Sequence, residues 1–162
     1  MPSLTRRSVL ATVGAVTAGG LAGCGALSDR SPPAGSLRFV NDHDLPHSIR
    51  LAVTDVGAEP GAEPGEVAGD AVAPPMQRNL TVTEQLSPNE STLYEDVFTE
   101  PIYYGVQFFL DGSAPEDTGG PVAFNPSESG GENGALLGGR VDRSGELSWV
   151  ISSADNSGRF DR

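Results

Sequence analysis

An all-β, antiparallel sandwich of about seven strands is the fold this sequence predicts, on three observations. Apolar residues recur with period two, turn-forming residues separate the alternating stretches, and no stretch of about ten residues carries a helical stripe with start and stop signals.

The strands follow in chain order. Leu37 and Phe39 alternate with Arg38, and Ile49, Leu51 and Val53 alternate with Ser48, Arg50, Ala52 and Thr54. Alternation of this kind is what a half-buried strand requires, because successive side chains leave opposite faces. Leu80 and Val82 alternate with Thr81 and Thr83. The clearest strand sets Ile102, Tyr104, Val106, Phe108 and Leu110 on one face, with Tyr103, Gly105, Gln107, Phe109 and Asp111 on the other. A last hairpin joins Ala135–Val141 to the alternation of Leu147, Trp149 and Ile151 through the turn Asp142-Arg143-Ser144-Gly145. Asp42–Pro46, Ser87–Glu90, Asp111-Gly112 and Ser127–Gly134 are rich in turn formers.

Two connections are long. Val56–Pro75 holds the near-repeat Gly57-Ala58-Glu59-Pro60-Gly61-Ala62-Glu63-Pro64, and a second runs from Ser113 to Gly120. Both are poor in apolar residues and rich in proline, glycine and acid, so mobile solvated loops are expected, with ligand binding as the alternative role.

The first 23 residues differ in kind. Arg6 and Arg7 precede an apolar run from Val9 to Leu21 that Gly14, Gly19 and Gly20 dilute, and small residues lead to Cys24. That order is a signal peptide's; the run is too short and too glycine-rich for a good spanning helix, which needs about 20 apolar residues. The expected organisation is a signal peptide over 1–23, a flexible tether over 24–35, a β domain over 36–153 and a flexible tail over 154–162.

Arg6-Arg7 with Val9 and Leu10 resembles the twin-arginine export signal, and Leu21-Ala22-Gly23-Cys24 resembles the lipobox of prokaryotic lipoproteins. The resemblance implies cleavage before Cys24, lipid on its thiol, and a domain held on the outer face of the cell membrane. Cys24 is the only cysteine, so the one thiol in the chain has an assigned use. The stretch Leu37–Val53, with Leu86-Ser87-Pro88-Asn89-Glu90-Ser91, Tyr104 and Asp111-Gly112, resembles immunoglobulin-like domains of exported prokaryotic proteins. It implies that Leu37–Asn41 and His47–Val53 form an opening hairpin.

Acids number 22 against 10 arginines, and lysine is absent. Loss of Arg6 and Arg7 on cleavage leaves 8 − 22 = −14. At ~1 M salt the Debye length is about 3 Å, which screens most of the self-repulsion. The acids are spread along the chain, and the composition resembles that of haloarchaeal proteins. No basic patch exists to neutralise phosphates, so nucleic acid is not an expected partner.

Absent residue types remove whole chemistries. Without lysine there is no P-loop or Schiff base, and without a second cysteine there is no disulfide, iron-sulfur cluster or blue-copper centre. No cofactor is expected. His43 and His47, in Asn41-Asp42-His43-Asp44-Leu45-Pro46-His47, are the only histidines and the one candidate metal pair. Pro46 and the flanking strands make this segment a turn. The carboxylate groups Glu95, Asp96, Glu100 and Asp111, Glu116, Asp117 read as solvated surface. Tyr103 and Phe109, opposite the main alternation, are candidate stacking residues. Asn79-Leu80-Thr81 and Asn89-Glu90-Ser91 fit the N-glycosylation pattern, with Asn89 in a turn and Asn79 beside a strand that is expected to hide it.

The expected function is a lipid-anchored, non-catalytic binding or accessory module, joined to the membrane through Cys24 and possible member of a membrane assembly. The alternatives are a small metal-dependent or hydrolytic enzyme using the His43/His47 turn, and a structural envelope protein.

Overall fold

The computed structural model of the protein describes residues 34–115, 120–130 and 133–154. Strands β1 (Gly35–Asn41), β2 (His47–Gly57), β3 (Glu59–Pro60) and β4 (Val67–Ala68) precede the one-turn helix α1 (Pro75–Arg78). Then come β5 (Thr81–Leu86), β6 (Ser91–Phe98), β7 (Tyr103–Leu110), β8 (Val122–Phe124), the one-turn helix α2 (Pro126–Ser129), β9 (Ala135–Val141) and β10 (Leu147–Ser153). Two four-stranded sheets, ordered β10-β9-β1-β6 and β5-β2-β7-β8, pack face to face, and β3 and β4 form a separate ribbon.

The alternating residues close the core between the sheets. Leu37, Phe39, Leu137 and Val141 face Ile49, Leu51, Val106 and Phe108, all fully buried. The Phe39 and Phe108 rings meet edge to face at 6.4 Å across the gap, and Phe98 stands edge-on to Tyr104 and Phe124 at 5.1 and 4.9 Å. Each such side chain contributes on the order of 1.5–3 kcal/mol by leaving water. A Cβ at Gly139 would lie 2.7 Å from Cε1 of Phe108, so glycine there makes room for the ring.

Tyr104 closes one end of the core. Its hydroxyl donates to Oε1 of the buried Gln77 on α1 (2.8 Å) and accepts from the Glu100 amide four residues upstream (3.1 Å). A tyrosine bonding back to the chain just before its own strand is the tyrosine corner of immunoglobulin-type sandwiches. Burial pushes its phenol well above the usual tyrosine range.

Three expectations change. β1 and β2 do not pair as a hairpin: β1 lies between β6 and β9, running parallel to β9, while β2 lies between β5 and β7 in the other sheet. Alternation marks a strand without marking its partner, and the turn between them crosses from sheet to sheet. The first long connection is not a loose loop, because β2 continues to Gly57 through a bulge at Val53–Asp55 and the β3–β4 ribbon follows. Glu66 fixes the ribbon's tip, its carboxylate accepting from the Ala62 and Glu63 amides. The strands also exceed the expected seven, through β6, β8 and the ribbon.

Strand directions define two ends. The turns 42–46, 87–90, 111–113 and 142–146 gather at the tip, where β1 finishes. Gly35, Gly57, α1 and Ser153 lie at the base.

Candidate functional site

The tip is organised around Asn41, the last residue of β1 and fully buried. Its side-chain amide donates to the Leu45, Leu86 and Ser87 carbonyls (2.9, 3.2 and 3.1 Å), and its Oδ1 accepts from the His43 amide (3.0 Å). One side chain therefore clamps the 42–46 turn onto the β5–β6 turn. Arg140 on β9 ion-pairs with Asp42, whose amide donates to the Val141 carbonyl (2.8 Å). The β9–β10 turn closes over the site: a Cβ at Gly145 would sit 3.5 Å from the His43 ring. Asp142 holds that turn by accepting from the Ser144 amide and hydroxyl and the Glu146 amide, bonds that keep its carboxyl below the usual range.

Within this frame the two histidines form a hydrogen-bonded chain with two carboxylates. Nδ1 of His43 is 2.7 Å from Nε2 of His47, and Nδ1 of His47 is 2.7 Å from Oδ2 of Asp111. Asp111 arrives from the end of β7 because Ile49 pairs with Leu110, and its Oδ1 accepts from the Ser48 amide (2.8 Å). Nε2 of His43 lies 3.3 Å from Asp44.

The tautomers follow from the partners. Partial burial pushes the Asp111 carboxyl up, but the Ser48 amide and then His47 outweigh it, and the net shift is downward. The ionised carboxylate only accepts, so His47 donates from Nδ1 and accepts at Nε2, and His43 donates from Nδ1.

This arrangement is not a chelate. Two nitrogens on one tetrahedral zinc, each about 2.0–2.1 Å from the metal, stand roughly 3.3 Å apart. Both ring nitrogens of His47 are already engaged. Among the described residues no group of three or more His, Cys, Asp or Glu converges on a metal position. The chain does resemble the carboxylate–histidine pairs that orient a general base, with His43 Nε2 as the outermost nitrogen.

The remaining candidates separate. Arg50 stacks over one face of the Phe109 ring at 3.9 Å from its centroid, and the partly exposed Tyr103 bonds its hydroxyl to Glu128. Glu95 and Asp96 are exposed on β6, as expected of surface acids, while Glu116 and Asp117 lie outside the described residues. Asn89 is exposed in its turn. Asn79 is exposed too, contrary to the expectation of burial, because it ends α1 and donates to the Pro75 carbonyl (2.8 Å). Arg6, Arg7, Leu21, Ala22, Gly23 and Cys24 fall outside the described residues. Two open clefts of about 400 and 450 Å³ flank the β3–β4 ribbon, sharing Asp70 and Ala71, with Arg78 at the edge of the larger.

Sequence reasoning missed Asn41 and the tie between Asp111 and His47. The first carried a signal, since a polar residue follows the inward Phe39 at the next inward position; the second depends on a strand register that only pairing reveals. Comparison with protein-family models, curated proteins and solved structures finds no match to this chain.

Proposed function

We propose that the protein is a lipid-anchored, cell-surface β-sandwich that works as a non-catalytic binding or accessory module. The observation that carries this reading is where β1 begins. Gly35 lies at the base, so a tether running from Cys24 enters at the end opposite the tip and leaves every tip turn clear of the attachment point. Lipid on Cys24 would contribute about 0.8 kcal/mol per buried CH₂. A domain on the outer face meets multimolar salt, for which a lysine-free acidic surface is suited.

Cross-linking and affinity isolation of the tagged protein from its own membranes at multimolar salt tests this, with Cys24→Ser as control. A stoichiometric partner lost in the control is expected of an accessory subunit. Recovery of the bare protein alone from both forms would move the reading to a structural envelope protein.

The Asp111–His47–His43 chain favours one second reading, a small hydrolytic enzyme in which the outermost histidine acts as general base. Hydrolysis of a nitrophenyl ester by protein kept in high salt, beside His43→Ala and His47→Ala, separates the two: turnover that depends on the histidines is expected only of the enzyme.

A further inference from the structure

Ser87-Pro88-Asn89-Glu90 joins β5 to β6 at the tip, and all four residues are exposed. The Glu90 amide donates to the Ser87 carbonyl (3.2 Å), and Asn89 takes a positive φ of 60°. This is the pattern of a type II turn, with proline at its second position and a left-handed residue at its third. Further bonds brace it. The Ser87 amide donates to Oε2 of Glu90 (2.7 Å), the Ser87 carbonyl accepts from Nδ2 of the buried Asn41 (3.1 Å), and the Glu90 carbonyl accepts from the Asn41 amide (2.9 Å). None of these bonds uses the Asn89 carboxamide, so a braced turn carries it at the surface.

Glycine reaches a left-handed φ without steric cost, and Gly65, Gly69, Gly112, Gly134 and Gly145 take such conformations in this chain. Asparagine at 89 keeps a side chain where the backbone asks for none. Two residues on, Ser91 opens β6, exposed and paired with Val40. The Asn-Glu-Ser acceptor pattern therefore runs from the turn into the strand with both of its defining residues exposed, while the Glu90 carboxylate bends back to the Ser87 amide.

Asn79-Leu80-Thr81 has the same pattern in a different setting. Asn79 ends α1, where its Nδ2 and its own amide both donate to the Pro75 carbonyl (2.8 and 3.1 Å). Leu80 packs against the core, and its carbonyl accepts from the Val53 amide (2.8 Å). The nitrogen that would carry a sugar is folded back onto the helix end.

We infer that Asn89 is a site of N-glycosylation and that Asn79 is not. The sugar donor is, by class, an oligosaccharide on a lipid-linked phosphate, and the acceptor atom is Nδ2 of Asn89. In the transfer Nδ2 bonds to the anomeric carbon of the first sugar while the bond from that carbon to the phosphate oxygen breaks. The electron pair leaves with the lipid phosphate, Nδ2 gives up one proton to a base of the transferase, and nothing is oxidised or reduced. The inference rests on the outer-face placement proposed above, because the pattern is an acceptor on surface loops of exported proteins. The glycan stands at the end opposite Gly35, beside the 42–46 turn that Asn41 clamps to Ser87.

Mass spectrometry of the full protein isolated from its own membranes at multimolar salt tests this. Cleavage after glutamate places Asn79 on a peptide of residues 67–84 and Asn89 on one of residues 85–90. Sugar mass is expected on the second peptide and not on the first, and Asn89→Gly and Ser91→Ala are each expected to abolish it. Glycine suits the left-handed position, so Asn89→Gly is expected to keep the β circular-dichroism spectrum. A protein that carries lipid on Cys24 but no sugar on Asn89 overturns the inference and leaves the outer-face reading standing. Sugar on residues 85–90 that Ser91→Ala leaves in place also overturns it, and sugar on residues 67–84 overturns the choice between the two sites. A chain whose first 23 residues are uncut, with neither lipid nor sugar, overturns both the inference and that reading.

Discussion

His43 and His47 meet ring nitrogen to ring nitrogen at 2.7 Å, with ring centroids 4.9 Å apart, so one ring donates a hydrogen bond to the other. Four residues apart in sequence, they would share one face of a helix; here a turn brings them together. That turn is locked by Asn41 below, Arg140 beside and Gly145 above.

Asp111 makes the lock dependent on acid. Its carboxyl is held lower in the folded protein than in the unfolded chain, so its contribution is present above the usual carboxylate range and lost as pH falls through the folded value. Asp111→Asn is expected to lower stability near neutrality and to flatten the acid limb of a stability–pH profile. Denaturant unfolding across pH 2–7 checks this, and identical acid limbs for parent and variant would contradict it.

Asn41→Ala leaves the Leu45, Leu86 and Ser87 carbonyls without their shared donor in a buried site. The expected cost is about 1–3 kcal/mol, the range for orphaned buried polar groups. Amide hydrogen exchange is expected to rise first at the 42–46 and 87–90 turns, before the sheets open.

Much of this frame was legible in the chain. Period two located β1, β2, β5, β7 and the β9–β10 hairpin because each carries at least two apolar residues in alternation. β6 escaped because its inner positions Thr92, Tyr94 and Phe98, paired with Phe39, Leu37 and Gly35, are interrupted by the exposed Asp96 (φ 54°) where the register with β1 shifts, while apolar Leu93 lies on the outer face. β8 has three residues and the ribbon strands two each, too short for any period to show. Both histidines were visible as a pair in a turn. Asp111 was visible only as a surface acid, since its contact with His47 spans 64 positions and rests on how β2 pairs with β7.

Gly105 ties the ribbon to the sheet. A Cβ there would lie 2.7 Å from the Gly65 carbonyl and 3.1 Å from Oγ1 of Thr54. Gly105→Val is expected to lift the β3–β4 ribbon off β7 at a cost of about 1–3 kcal/mol. Exchange protection is expected to fall at the Gly61 amide, which bonds to Glu66, while the Leu51 and Val106 amides stay protected.

The proposed reading matches the charge balance to a high-salt solvent. With a formal charge of −12 over the full chain, diluting salt to tens of millimolar lengthens the Debye screening from about 3 Å toward 10 Å or more. Loss of the β circular-dichroism signal on dilution, reversed by restoring salt, is the expected outcome; a fold indifferent to salt would contradict the charge reading.

The anchor is the claim on which the functional reading turns, and membrane fractionation of Cys24→Ser beside the parent, with mass measurement of the mature N-terminus, tests it most directly. The parent is expected in the membrane fraction with lipid mass on Cys24, and the variant is expected to leave that fraction unlipidated. Unchanged membrane retention of Cys24→Ser, or a parent whose Cys24 carries no lipid, would contradict the account.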